Sequence, residues 1–593
     1  MKNIIKYITI GTIALASASC LDLDPKDQLA DPDLWAVSSD FQNFSNKFYD
    51  YLPNFSQVYD GNIHSDMRSD LMRHKDGNNT ISRGEYNMGS GDGDYTGAYS
   101  AIRRTCLLLE KAAGFSNQEE IRQAVGEAYF FRAWQYFFLV QKFGDVIIVD
   151  HAVDTDDPLM FAKRNDRGEV VDFIIKDLRE AIAHLKSVSE IEEGRVSTEG
   201  ASAFLSRVAL YEGTWQKFRG NTARANELLD IAANAAKDVI DSKKYELFEP
   251  STLGDDAYRY MFILESGVKC NPAGLDKSAN KEYIIKRCYD ITLKTTGQNL
   301  TTTALANAWF ATTKLADLYL CTDGLPTDVS AKFNGYERMR SEWENRDNRM
   351  NNTLMRPGDT FWNNAKNNCR LDWSGSDEEL KRAKYTNFTP WGSGYMIYKW
   401  ATERECADRD EAYDFPVLRY AEVLLNYAEA VYERDGKISD EDLNISINKT
   451  RLRVNKSNGM PRLTNELVSK YGLDMRTEIR RERTVELFQE GFRVDDLKRW
   501  KTAESEMPMN MTGIRWQGEW VNKMANHGGY ALDSQNRIIL ESGRTFEQKH
   551  YLYPLPVDQQ QLNPNLGQNE GWPKVTGSYV KDPTEEVNPE DED

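Results

Sequence analysis

The stretch GEAYFFRAWQYFFLVQKFGD, Gly126–Asp145, decides how the chain is read. From Ala128 to Val140 apolar side chains fall on most faces of a 3.6-residue period. That predicts a central helix buried all round rather than an amphipathic surface helix. Gly144 follows it as a C-terminal stop. Arg132 lies inside the aromatic run, and a guanidinium buried there needs partners, so a scaffold ion pair is expected.

Outward from this helix the text reads as helices in pairs. GAYSAIRRTCLLLEKAAG (97–114) precedes it, and GEVVDFIIKDLREAIAHL (168–185), STEGASAFLSRVALYEGTW (197–215) and ARANELLDIAANAAKDVIDS (223–242) follow. In the third, Ala201, Phe204, Leu205, Val208 and Tyr211 recur at helical spacing; Ser197 and Gly200 make no capping box, which leaves its start open by a few residues. Paired helices that mix small Ala with large aromatics resemble tetratricopeptide repeats, although the period is irregular. Residues 245–413 differ. They are rich in Gly, Asn, Thr and Trp, and read as loops, short helices and a few strands. Long irregular segments in compact proteins are more often functional than not.

Helices return with VLRYAEVLLNYAEAVYERDG (417–436), where Val417, Ala421, Leu424, Ala428 and Val431 form one stripe. SDEDLNISINKTRLRVN (439–455) opens on Ser439 and Asp442, an acidic variant of the capping box, and buries Leu443, Ile447, Thr450 and Val454. DMRTEIRRERTVELFQEGFRVDDLKRW (474–500) holds two helices split at Gly491, the second capped by Asp495 or Asp496. YLYPLPVDQQQLNPNLGQNEGW (551–572) has three prolines that exclude a helix. Tyr551, Tyr553, Leu555, Leu562 and Leu566 are expected to pin it to the scaffold as a clasp rather than a ligand site.

The net charge of −19 disfavours nucleic acid and anionic lipid as partners. The N-terminus MKNIIKYITIGTIALASASC has two lysines, then an apolar run too short to span a bilayer, then small residues before Cys20. This resembles a bacterial lipobox, with Ser17 where Leu is usual, and implies lipid attachment at Cys20. Of the six other cysteines none forms CxxC, so a zinc site is not expected. Cys270 with Cys288 is the one disulfide to consider, against buried free thiols. SGDGDYTG (90–97) lacks the spacing of a calcium loop and reads as a turn. Glu478, Glu482, Glu486 and Glu490, interleaved with Arg480, Arg481 and Arg483, read as helix ion pairs such as Glu478–Arg481 and Arg483–Glu486, not as a catalytic acid and base.

The segments 126–146, RYAEVLLNYAEA (419–430), NKTRLRV (448–454), RRERTVELFQEGFRVDDLKRW (480–500) and YPLPVDQQQLNPNLGQNEGW (553–572) occur in one order behind the N-terminal signal. In this the chain resembles the SusD/RagB family of outer-membrane nutrient-binding lipoproteins. NRDNRM (345–350) is similar to a further family element, with Asn348 where Pro is common. The resemblance implies a mostly α fold, a tetratricopeptide-like scaffold with the loop-rich region over it. It also implies a partner, a TonB-dependent outer-membrane transporter, and a glycan or, in some members, a peptide ligand. It implies no cofactor and no catalysis. The divisions expected are a signal at 1–19, a tether at 20–34, helical repeats at 35–245, a ligand-facing region at 246–413, C-terminal helices and strap at 414–573, and an acidic tail at 574–593. Sugars present C–H faces to aromatic rings and hydroxyls to charged and amide groups. Asp66, Arg68, Tyr86, Tyr95, Trp309, Trp362 and Trp391 are therefore the candidate ligand residues, with Trp343 and Trp373 in reserve. A surface glycosidase and a ligand-free interaction scaffold are the competing readings.

Overall fold

The computed structural model describes residues 35–55 and 65–575, apart from 75–76, 78, 155–156, 302–308, 358–391, 398, 405, 408, 524–526 and 528. Cys20, Trp362, Trp373 and Trp391 lie outside the described residues, as do the signal, the tether and nearly all of the acidic tail.

The buried helix expected from Gly126–Asp145 is α2, Gln118–Phe143, after α1, Gly93–Ala113. Phe130, Phe131, Ala133, Tyr136, Leu139, Val140 and Phe143 are fully enclosed, each large side chain contributing on the order of 1.5–3 kcal/mol of transfer free energy. Gly144 ends α2 at φ 77° and ψ −111°. The positive φ favours glycine for the turn, and a Cβ there would lie 2.8 Å from Leu552 Cδ1 of the strap, displacing that side chain. Arg132 pairs with Asp177 through two 2.8 Å hydrogen bonds, as its position in the sequence required.

The helices α3 (Arg167–His184), α4 (Thr198–Lys217) and α5 (Thr222–Ser242) stack in succession on α2. The next helix of the stack, α6 (Tyr420–Asp435), comes almost 180 residues later in the chain and packs on both α5 and α4. The solenoid is therefore continuous in space and interrupted in sequence. Among the described residues helices predominate and strands are few. Ser197 caps α4 alone, its hydroxyl accepting from the Gly200 N–H at 3.0 Å. Asn426 on α6 donates to Ser206 on α4 at 3.0 Å, a buried polar tie between two halves of the chain.

The intervening region is fastened by two-stranded antiparallel pairs. β1 (Met72–His74) pairs with β3 (Trp309–Ala311), and β2 (Tyr283–Arg287) with β4 (Phe415–Arg419). A third pair, β5 (Met511–Arg515) with β6 (Arg537–Glu541), lies near the C-terminus.

Several expectations are corrected. The helix read over 439–455 is two, α7 (Asp440–Ile445) and α8 (Ile447–Leu452). Ser439 caps the first at 3.0 Å, but the chain breaks at Ser446 (φ −126°, ψ −103°), whose hydroxyl turns back onto the Asp442 carbonyl. Neither Asp495 nor Asp496 caps the helix α10, Arg493–Arg499, which follows α9, Met475–Glu486. Its first amide, and one from the turn before it, go instead to Asp66, more than 400 residues away. The Asp66 carboxylate accepts from Gln489 N at 2.6 Å and Arg493 N at 3.3 Å. Glu478 pairs with Arg481 as expected, but Arg483 reaches Asp496 and Asn426 rather than Glu486. Cys270 and Cys288 are free thiols. The strap contains a short helix after all, α11 (Val557–Leu562), starting directly after Pro556. Proline is tolerated there because the first amides of a helix have no intrahelical acceptor. Leu562 is 61% exposed and pins nothing. The rest of the strap does clasp: Tyr553 N donates to Lys142 O at 2.7 Å, Asn569 Nδ2 to Phe143 O at 2.9 Å, and Arg164 Nε to Leu566 O at 2.7 Å.

Candidate functional site

The fold divides the candidate residues into buried supports and one partly exposed polar cluster. Asp66 is 1% exposed and holds α10 in place; burial raises its carboxyl to about 6 despite the two backbone donors. Tyr95 is buried against Tyr99 and Phe143, with ring centroids 5.0 and 5.2 Å away. Trp309 is fully enclosed in β3, opposite His74. Trp343 is buried against Tyr395. None of these rings offers a face to a ligand in this conformation. An aromatic in a Gly- and Asn-rich stretch anchors a loop as readily as it serves a sugar, and only the packing tells the two apart.

Arg68 and Tyr86 do come together, where the turn Ser65–Arg68, the loop before α1, the end of α2, α10 and the strap converge. Tyr86 stacks on Tyr553 at 4.9 Å and 27°, and packs on Trp572 at 5.7 Å. Its hydroxyl donates to His550 O at 2.7 Å, so it braces Tyr553 rather than facing the opening. Trp572 is itself fixed by indole hydrogen bonds to Lys549 O and Leu552 O at 3.1 and 3.0 Å. Such aromatic pairs add about 0.5–1.5 kcal/mol each beyond area burial.

Charged groups of both signs surround Tyr553. Arg68 Nη2 lies 3.9 Å from Asp495 Oδ2. The Lys142 and Lys498 ammonium groups sit 5.1 and 4.9 Å from the Tyr553 ring centroid. Lys142 is tied to Asp92 at 2.9 Å and Asp94 at 2.7 Å. Asp92 also caps α1, accepting from Asp94 N at 2.9 Å; the SGDGDYTG turn is thus a helix cap joined to the rim. Burial pushes the Tyr553 phenol up to about 12 and the Lys498 ammonium down to about 8, and raises the Asp495 carboxyl. The result is a polar cluster against an aromatic ring, open to solvent at the Arg68 and Asp495 side chains (19% and 29% exposed) and equipped to hydrogen-bond hydroxyl, carboxylate or amide groups. Sequence reading missed Asp495, Lys498, Tyr553, Trp572 and Lys142. The first two stand in VDDLKRW, where their i, i+3 spacing on one helix face was the available signal. The strap was read as a clasp only; it is a clasp that also delivers Tyr553.

A family model described as "SusD family" matches residues 281–572, and one described as "Starch-binding associating with outer membrane" matches residues 21–210. A SusD-like protein of Bacteroides ovatus is 27% identical over 173 residues, 28% of this chain and 30% of the relative. SusD-like protein P2 of Formosa agariphila is 28% identical over 226 residues, 36% of this chain and 44% of the relative. The chain thus aligns to less than half the length of these curated relatives. Among solved structures, two SusD-like proteins of Bacteroides fragilis, the first a carbohydrate-binding protein, superpose with TM-scores of 0.67 and 0.68. They are 21% and 22% identical, over 90% and 92% of this chain and 99% of theirs. Surface glycan-binding protein A of Bacteroides fluxus superposes with a TM-score of 0.58 at 19% identity, over 91% of this chain and 100% of its own. With the ordered segments, the helical stack and the clasp all in agreement, the chain belongs to the SusD/RagB family.

Proposed function

We propose that this protein is a cell-surface glycan-binding lipoprotein, anchored through Cys20 to the outer membrane and facing outward. In this reading it captures oligosaccharides and hands them to a TonB-dependent outer-membrane transporter, without catalysing any reaction on them. The observation that carries the proposal is the cleft of Arg68, Asp495, Lys498 and Tyr553. It joins hydrogen-bonding groups to a braced aromatic wall in a chain whose family models and structural neighbours bear starch-binding, carbohydrate-binding and glycan-binding descriptions. Trp362 and Trp391 are proposed as further contacts from the region 358–391.

Calorimetric titration of the full chain with neutral and acidic oligosaccharides and with short peptides tests this. Binding to oligosaccharides, lost in Arg68→Ala and Tyr553→Ala, is expected. Binding of peptides alone, or of sugars undisturbed by both substitutions, refutes the assignment. Co-purification of a transporter from outer membranes, abolished by Cys20→Ala, tests the assembly.

A further inference from the structure

Lys498 stands apart from the other buried cations. Its side chain is on α10 and the residue is 2% exposed. Yet no hydrogen bond or ion pair joins its ammonium to any described residue; the Tyr553 ring centroid lies 4.9 Å away. Lys399, equally buried, donates to Phe488 O at 2.5 Å and Glu490 Oε1 at 2.7 Å. An ammonium on so buried a side chain is costly to leave without a partner, and perturbed groups of this kind cluster at functional sites.

The groups facing Lys498 come from four elements. Asp495 comes from α10, Arg68 from the turn at 65–68, Lys142 from the end of α2, and Tyr553 and His550 from the strap. Burial depresses the His550 imidazole below its usual value, which leaves it neutral near pH 7. Arg68 and Lys498 both face Asp495, and Asp66 on the same turn also attracts Arg68. Lys142 is committed to Asp92 and Asp94 at the rim, and the 61%-exposed Asp94 side chain is screened by water.

We propose that the cleft takes the anionic group of an acidic glycan, a uronate carboxylate or a sulfate ester, on Lys498 and Arg68, with the sugar ring beside Tyr553. This rests on the glycan-capture reading and narrows it to a ligand class. An anion placed there supplies the partner that the Lys498 ammonium lacks. Charge-assisted bonds of this kind are about twice as strong as neutral ones.

The test is calorimetry of the full chain with three oligomers of matched length: a neutral glucan, a hexuronan and a sulfated galactan. At least one acidic oligomer should bind at least tenfold more tightly than the neutral one, and the stronger of the two names the anion. Its affinity should fall between pH 6.5 and 9.5, as Lys498 loses its proton. Lys498→Met should erase the preference while leaving thermal stability equal or higher, because it removes an unpaired buried charge. If Lys498→Met does not fold, Arg68→Gln carries the same test. Equal affinity for all three oligomers, or an unchanged preference in the variant, overturns the inference and spares the glycan reading. Failure of every oligosaccharide to bind overturns both.

Discussion

Replacing Glu486 by Gln should destabilise the protein by about 3–5 kcal/mol at neutral pH, the loss usual for breaking a buried ion pair. Glu486 is fully buried and accepts from three arginines: Arg419 at 2.7 Å, Arg349 at 3.0 Å, and Arg453. Around it Glu482, Glu490, Glu282 and Asp347 meet the same guanidinium groups, together with Lys399. Burial alone would raise the Glu486 carboxyl. The three arginines reverse that and hold it down to about 2, against an ordinary value of 4.5. At about 1.4 kcal/mol per pKa unit this difference corresponds to about 3 kcal/mol. The sign is that of a depressed carboxylate. The contribution is complete above pH 4.5 and is lost as pH falls from there toward 2. Urea unfolding followed by tryptophan fluorescence should therefore show the Glu486→Gln deficit in full at pH 7 and much reduced at pH 3. Arg453→Met added to Glu486→Gln should recover part of the loss, because an apolar replacement removes the stranded charge. A deficit under 1 kcal/mol at pH 7, or one equal at pH 7 and pH 3, would refute the view that Glu486 is the electrostatic centre of the C-terminal half.

Three further outcomes are expected. Burial raises Glu342 and Glu411 to about 7 and Asp66 to about 6. The folded state then binds these protons more tightly than the unfolded chain, so stability should rise as pH drops from 8 to about 5.5; a melting temperature that falls over that interval would contradict this. Gly144→Ala forces a non-glycine residue to φ 77° and a Cβ into Leu552. It should cost about 1–3 kcal/mol and speed proteolysis within 551–572, while cleavage at the wild-type rate would show that the strap is held elsewhere. Non-reducing peptide mapping of the folded protein should recover Cys270 and Cys288 as separate free-thiol peptides, and a linked pair would contradict the structure.

What the sequence determined by itself is the local physics. The apolar faces of Gly126–Asp145 required a buried central helix. Gly144, Gly436 and Gly491 marked ends and breaks, each at positive φ. Arg132 inside an aromatic run called for an acceptor, and Asp177 supplies it. Ordered segments with no large identity between them were enough to indicate the family. Interactions spanning hundreds of residues were decided only in the tertiary structure. A helix cap is satisfied by whichever acceptor reaches the free amides, and nothing in VDDLKRW names Asp66. A short helix between prolines depends on the cage that the strap packs into. Whether a tyrosine faces solvent depends on what lies above it. Tyr95 and Trp309 are covered by chain distant in sequence, and Lys498 is left without a partner because α10, the turn at 65–68 and the strap meet around it. Periodicity and capping act over three or four residues, so one chain suffices to read them. Burial and charge pairing are set by elements that meet only on folding, and the cleft is made entirely of those.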